Sequence, residues 1–201
     1  MATGNSYIGG VPTPDRTSLS AIVSAAGDLL ESDGLPAVTM AAVAARVGVR
    51  APSLYKRLRN RDELIEMVAE AALGDLRERL ARAVGAGGDG APVGDPRARL
   101  EALIVAAREF ARVRPAAFRL VFAPGDLRLD PALLAATSAP LFDVVAELAG
   151  PRHALQAART VTAWATGFIL MELSSAFRLG GDLDEAFDYG IRRLAEAITD
   201  R

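Results

Sequence analysis

The chain has no cysteine, one histidine (His153) and one tryptophan (Trp164), and aromatic residues make up only 5% of its 201 positions. Without thiols there is no disulfide, no thiolate nucleophile and no zinc–thiolate site. The lone histidine follows Pro151-Arg152 at an expected helix start, which suits a capping or surface role better than metal ligation. A Gly-rich phosphate loop and facing carboxylates are also missing, so no general base stands beside a nucleophile. The expectation is a protein that is not an enzyme and needs no cofactor. No window alternates β-branched residues with period two, so no strand is expected. The opening MATGNSYIGGVPTPDR lacks the basic-then-apolar order of a signal peptide. The longest strongly apolar uncharged run, Thr160 to Met171, is twelve residues, too short to span a bilayer. A soluble, cytoplasmic protein with no membrane partner is expected.

Hydrophobic residues reach 51% and charged residues 24%, enough for a folded core. Alanine and leucine dominate, which favours helix. The charge is unevenly spread: residues 1–61 carry seven bases and four acids, residues 62–201 sixteen and twenty-one. A basic front on an acidic body points to two jobs in one chain. Arg50, Lys56, Arg57, Arg59 and Arg61 fall within twelve residues that hold no acid, the footprint of a surface that meets phosphate. Lys56 is the only lysine among 22 arginines, a bias to which no chemistry is assigned.

Spacing predicts an all-α fold of about nine helices. Residues 1–16 read as a disordered arm, 17–62 as a helix-turn-helix domain, and 63–201 as a second helical domain. The first helix runs from about Ser18 to Ser32, with Ile22, Ala26 and Leu30 on one face, and ends at Gly34. Thr39 caps the second, Gly48 makes the turn, and Pro52 opens a third that buries Leu54 and Leu58. Asn60 with Glu63 is a capping-box pattern for the fourth, which continues to Leu80. Gly85 to Pro96 is the clearest linker. Further helices are placed near 96–113, 115–123, 131–149, 152–179 and 182–199, with Pro140 expected to kink or split the third of these.

In the 39–61 segment Val43, Val47, Leu54 and Leu58 supply inner faces, leaving Arg50, Ser53, Lys56 and Arg57 outward, where cations reach phosphates and Arg or Ser can address base edges. From Leu19 to about Leu73 the chain resembles the TetR family of bacterial transcription regulators: Ile22…Ala26…Leu30…Gly34, Thr39-Met40-Ala41-Ala42-Val43-Ala44, Gly48-Val49, Ser53-Leu54-Tyr55 and Asp62-Glu63-Leu64. The resemblance implies a homodimer on a palindromic double-stranded DNA operator, usually repressing and released by a small-molecule effector in the C-terminal domain. It also implies a phosphate-side cap at Thr39, base-edge contacts from Arg50, Ala51, Pro52 and Ser53, and phosphate contacts from Tyr55 and Arg61. Family members usually carry His-Phe where Arg57 and Leu58 stand.

Thr160 to Ser175 is uncharged until Glu172, so the helix it forms must be covered on every side. Ala163, Gly167 and Ser174 make a small-residue face, and Trp164, Phe168 and Met171 a bulkier one; one is expected to meet a partner subunit and the other an inner cavity. Trp164, Gly167 and Met171-Glu172-Leu173 resemble a TetR subgroup marked by Trp-His-Gly, with Thr166 in place of the histidine. That resemblance implies a dimer through the last two helices, to which the stripe Phe187, Ile191, Leu194 and Ile198 is assigned. Phe110, Phe118, Phe122, Thr137, Trp164 and Phe168 are the candidate lining of a pocket for an apolar effector. The rival reading is a helical adaptor or binding module with a vestigial helix-turn-helix.

Overall fold

The computed structural model describes residues 18–85, 94–123 and 127–199, and every regular element among them is helical. The expected arm over 1–16 and most of the 85–96 linker lie outside the described residues. The elements are α1 (Leu19–Asp33), α2 (Met40–Val47), α3 (Ala51–Leu54), α4 (Arg61–Ala83), α5 (Pro96–Val113), α6 (Pro115–Phe122), α7 (Pro131–Leu173) and α8 (Leu183–Ile198), with one 3-10 turn over Leu35–Ala37.

Local chemistry sets most helix starts. Ser18, Thr39, Asn60, Asp95, Asp130 and Asp182 each accept a hydrogen bond from a first-turn backbone N–H, satisfying donors that have no partner inside the helix. Gly48 closes α2 at φ 77°, ψ 34°, and its N–H donates to the Ala44 and Ala45 carbonyls. A side chain resists that left-handed geometry, so the glycine sets the turn between α2 and α3.

Two cores share α4. Its first half packs on α1, α1 packs on α2 and α2 on α3, around the fully buried Ile22, Ala26, Val43, Leu54 and Leu64. Its second half packs with α5 and α7 around Leu73, Leu76, Leu100, Leu103 and Val161. One helix thus runs unbroken from the expected helix-turn-helix into the rear of the molecule.

Three expectations are corrected. Pro140 does not split α7; the only residue inside that helix with non-helical dihedrals is Gly150 (φ 71°, ψ 158°). Gly150 precedes Pro151, and the residue before a proline is pushed out of the α region, while glycine alone takes positive φ freely. At Pro140 the lost bond concerns the carbonyl of Ala136, an exposed residue beside which solvent can stand in. The helix expected over 152–179 stops at Leu173, where Ser174 donates to the Leu170 carbonyl and Ser175 adopts φ 51°. The stripe on α8 is spent inside the chain: Phe187 and Ile191 are buried and Leu194 and Ile198 pack on the same core, against α5 and α7. The face of α7 left open is the small-residue one, with Ala163 and Ser174 exposed and open space where a Gly167 side chain would stand.

By length and apolarity α7 alone among the described helices could cross a bilayer. It is broken at Gly150 and packs along α4 and α5.

Candidate nucleic-acid interface and internal cavity

The turn after Gly48 carries the chain out along an extended Arg50 (φ −89°, ψ 145°) into α3. The regular part of α3 is one turn, followed by the tight turn Tyr55–Arg57, and the Leu58 N–H still reaches the Leu54 carbonyl at 3.0 Å. A helix this short is held by its anchors rather than by propensity: Leu54 and Leu58 are 0% and 3% exposed. The opposite side presents Arg50, Pro52, Tyr55, Lys56 and Arg57 to solvent, with Ala51 and Ser53 half-buried between them. Thr39 is exposed at the start of α2, its Oγ1 accepting from the Ala42 N–H at 3.1 Å. Thr39, Arg50–Ser53 and Tyr55–Arg57 therefore flank the single Gly48 turn.

Arg61, for which the resemblance implies a phosphate contact, is engaged with backbone carbonyls of the same chain. Its Nε donates to the Val38 carbonyl at 2.6 Å and its terminal nitrogen to the Leu35 carbonyl at 2.7 Å. The Leu35 carbonyl already accepts from the Val38 N–H at 3.2 Å, and the guanidinium that opens α4 adds a second bond there and one to the Val38 carbonyl. Arg61 thus fixes the approach to Thr39. Arg59 is engaged as well, its side chain and backbone N–H both donating to Glu63. The Arg59 backbone N–H above all holds the Glu63 carboxyl below its usual range.

In the body, a cavity of about 130 Å³ lies between α4, α5, α6 and the two limbs of α7. Phe118, Phe122 and Thr137 line it as expected, joined by residues the sequence reading missed: Leu73, Leu76 and Leu80 of α4, Leu103 and Ile104 of α5, and Val161, Thr162, Ala165, Thr166 and Ile169 of α7. The α7 set follows one helical face at three- and four-residue steps, which is the signal that could have found it. Phe110, Trp164 and Phe168 do not line the cavity. Phe110 is fully buried, with the Arg79 guanidinium 5.8 Å above its ring. Trp164 and Phe168 sit a third of a turn away from the cavity face and pack on Phe187 of α8, at 5.5 and 5.0 Å between ring centroids. The Trp164 ring lies so close to Gly190 that a Cβ there would come within 2.2 Å of it. Trp164 and Phe168 of the bulkier face thus pack on α8 of the same chain, while Met171 of that face is 44% exposed.

A carboxylate joins the two halves. α6 begins directly after α5, so its own N-cap position is Arg114, which offers no acceptor side chain. The orphan N–H groups of Ala116 and Ala117 donate instead to the two oxygens of Glu31, on α1, each at 3.0 Å. Arg114 adds an ion pair to Asp75 at 2.7 Å and lies against Gly27, where a Cβ would stand 3.2 Å from the guanidinium. Behind the cavity Arg108, buried, binds both oxygens of Glu172 at 2.8 and 2.9 Å and Asp184 at 2.8 Å, and its guanidinium lies 4.2 Å from the Phe187 ring centroid. Arg112 joins the same two acids. Burial works to raise the Glu172 carboxyl, but hydrogen bonds from Arg108 and Arg112 outweigh it and hold the group below its usual range.

An exposed cationic helix-turn-helix, continuous through α4 with a helical body that encloses a cavity, defines a helix-turn-helix transcription regulator. The comparisons with known proteins agree. Residues 22–68 match the model described as bacterial regulatory proteins, tetR family, and residues 100–194 match the tetracyclin repressor-like C-terminal domain. An uncharacterized HTH-type transcriptional regulator of Mycobacterium tuberculosis is 30% identical over 95% of this chain and 86% of its own. The chain belongs to the TetR family. Similar solved structures include a protein of unknown function from Rhodococcus sp. RHA1, with TM-score 0.73, 23% identity and coverage of 91% of this chain and 96% of that one. A TetR variant from Acinetobacter baumannii in complex with minocycline aligns with TM-score 0.66, 24% identity and coverage of 89% and 94%.

Proposed function

We propose that this TetR-family regulator is a homodimeric repressor whose two cationic turns dock in the major groove of a palindromic operator, and that a small apolar effector in the body releases it. The observation that carries the DNA side is the outward set Arg50, Tyr55, Lys56 and Arg57, fixed by the buried Leu54 and Leu58. Arg50 and Ser53, with Ala51 and Pro52 between them, are the base-edge readers, while Thr39, Tyr55, Lys56 and Arg57 hold phosphates. Arg61 serves as the brace behind Thr39. The dimer forms through the second limb of α7 and through α8, using the open Ala163–Gly167 face and the exposed Tyr189, with the domain boundary falling inside α4 near residue 62. Trp164, Gly167 and Met171–Leu173 support placing the chain in the Trp-His-Gly subgroup.

The cavity supports the release step. Phe118 and Phe122 of α6 line it, and the first turn of the same short helix is held by Glu31 of α1. A ligand that shifts α6 pulls on α1 through that carboxylate and changes how the two cationic turns are spaced. Selection of duplexes from a random pool with the purified full chain tests the reading. Enrichment of an inverted repeat, with half-sites about one DNA turn apart, is expected. Recovery of no sequence at low salt would favour an adaptor instead.

A further inference from the structure

The chemistry of the cavity narrows its occupant further, an inference that rests on the effector reading above. No ionisable side chain is among its lining residues. Bringing a carboxylate or ammonium against such walls strips its water without supplying a counter-charge. The polar atoms available are four hydroxyls, on Thr137, Ser138, Thr162 and Thr166. Thr137 and Ser138 donate to the carbonyls of Leu133 and Leu134, at 2.8 and 2.9 Å, so their protons are spent. Thr160, one step outside the cavity, does the same with Gln156. Thr162 and Thr166 make no such bond. They stand four residues apart on one face of α7 and keep both proton and lone pairs for something else. The remaining walls are Leu, Ile, Val, Ala and Phe, and the deeper ones, Leu73, Leu76, Leu103, Phe118 and Ile169, are at most 3% exposed. The exposed lining residues are Leu134, Ser138 and Thr162, which places the opening between the two limbs of α7. A volume of about 130 Å³ is close to that of an engineered apolar cavity of about 150 Å³ that takes benzene.

We propose that the cavity binds an uncharged, compact hydrophobic molecule carrying one carbonyl or hydroxyl oxygen. Its apolar body seats against Leu73, Leu103, Phe118 and Ile169, and its oxygen bonds to the Thr166 hydroxyl, with Thr162 beside it nearer the opening. Thr166 is then the residue that selects the oxygenated ligand over the bare hydrocarbon.

Three probes of nearly one shape separate the possibilities: ethylbenzene, acetophenone and benzoate. Their affinities for the full chain at neutral pH are read by calorimetry, in the native protein and in the Thr162→Val/Thr166→Val double variant. Acetophenone is expected to bind about fivefold tighter than ethylbenzene, the worth of one neutral hydrogen bond. The double variant should lose that margin while still binding ethylbenzene, which also shows that it is folded. Benzoate should bind at least tenfold more weakly than acetophenone. Benzoate binding as well as acetophenone, or a carbonyl preference that survives in the double variant, would overturn this assignment and leave the effector reading standing. If none of the three binds or changes DNA affinity, the cavity is a packing defect and both readings fall.

Discussion

The two ends of this molecule use the same side chain in opposite ways. At the front, Arg50, Lys56 and Arg57 point into solvent from a short turn anchored only by leucines beneath them. At the rear, Arg99, Arg108, Arg112 and Arg114 are each committed to carboxylates, and Arg108 is also pressed on an aromatic ring. A buried guanidinium stays charged only where acids and rings replace its water. Exposed cations next to others of their sign repel one another, and a phosphate lowers that repulsion. Outward-facing cations mark the surface proposed above to meet DNA; cations paired with buried or half-buried acids mark the frame that holds it.

The comparison can be broken most severely at the rear. Gly190→Ala puts a methyl into the Trp164 ring, an overpacking expected to cost roughly 2–3 kcal/mol. Thermal unfolding should show a fall of several degrees. Gly167→Leu is the control, since nothing stands within 4 Å of a Cβ there. It should leave the fold intact and shift sedimentation from dimer toward monomer.

Next in size is Glu172→Gln, which leaves the buried Arg108 with the exposed Asp184 as its one charged partner among the described residues and should cost about 2 kcal/mol at pH 7. Because the Glu172 and Asp184 carboxyls are held below their unfolded values of 4.5 and 3.8, their contribution is complete above those values and is lost as pH falls below them. Denaturant titrations of the native chain should therefore lose stability between about pH 5 and 3, and Glu172→Gln should lose less over the same range.

At the seam, Glu31→Ala removes the cap of α6. A change of about 1 kcal/mol in stability is expected, typical of a lost N-cap. The more informative readout is DNA release: the variant should bind operator but respond weakly to whichever ligand releases the native protein. The smallest effects on the fold are at the front. Arg50→Ala should leave the melting temperature unchanged, weaken binding to the selected operator on the order of tenfold, and relax preference at one base position.

The front half was legible in the sequence because its determinants are local. Thr39, Gly48, Pro52 and Asn60 act within a turn or two of themselves, and the apolar spacing of Ile22, Ala26 and Leu30 names its own face. Asn60 does cap α4, although Glu63 turns to the Arg59 N–H rather than closing the expected box. The misreadings come from interactions that span the chain. The α6 cap arrives from Glu31, 85 residues away, and no periodicity in α6 announces it. The bonds of Arg61 to the Leu35 and Val38 carbonyls are not legible in the sequence, because the turn that holds those carbonyls has no sequence mark of its own. The stripe on α8 showed that something must cover Phe187 and Ile191. An amphipathic pattern does not distinguish the chain's own α7 from another copy. The same ambiguity sent Trp164 and Phe168 to the cavity, when the helical angle between Trp164 and Thr166 places them on different sides of α7. Pro140 and the gap between the helices expected over 131–149 and 152–179 both read as interruptions; only Gly150, in that gap, combines positive φ with a following proline.

The salt dependence of operator affinity for the native chain and for Lys56→Ala is the most direct measurement. If each subunit neutralises a phosphate with Lys56, the slope of log K against log salt should become shallower by about two per dimer, and binding to random duplex should weaken in proportion. An unchanged slope, with operator binding intact, would contradict the placement of this basic turn on DNA.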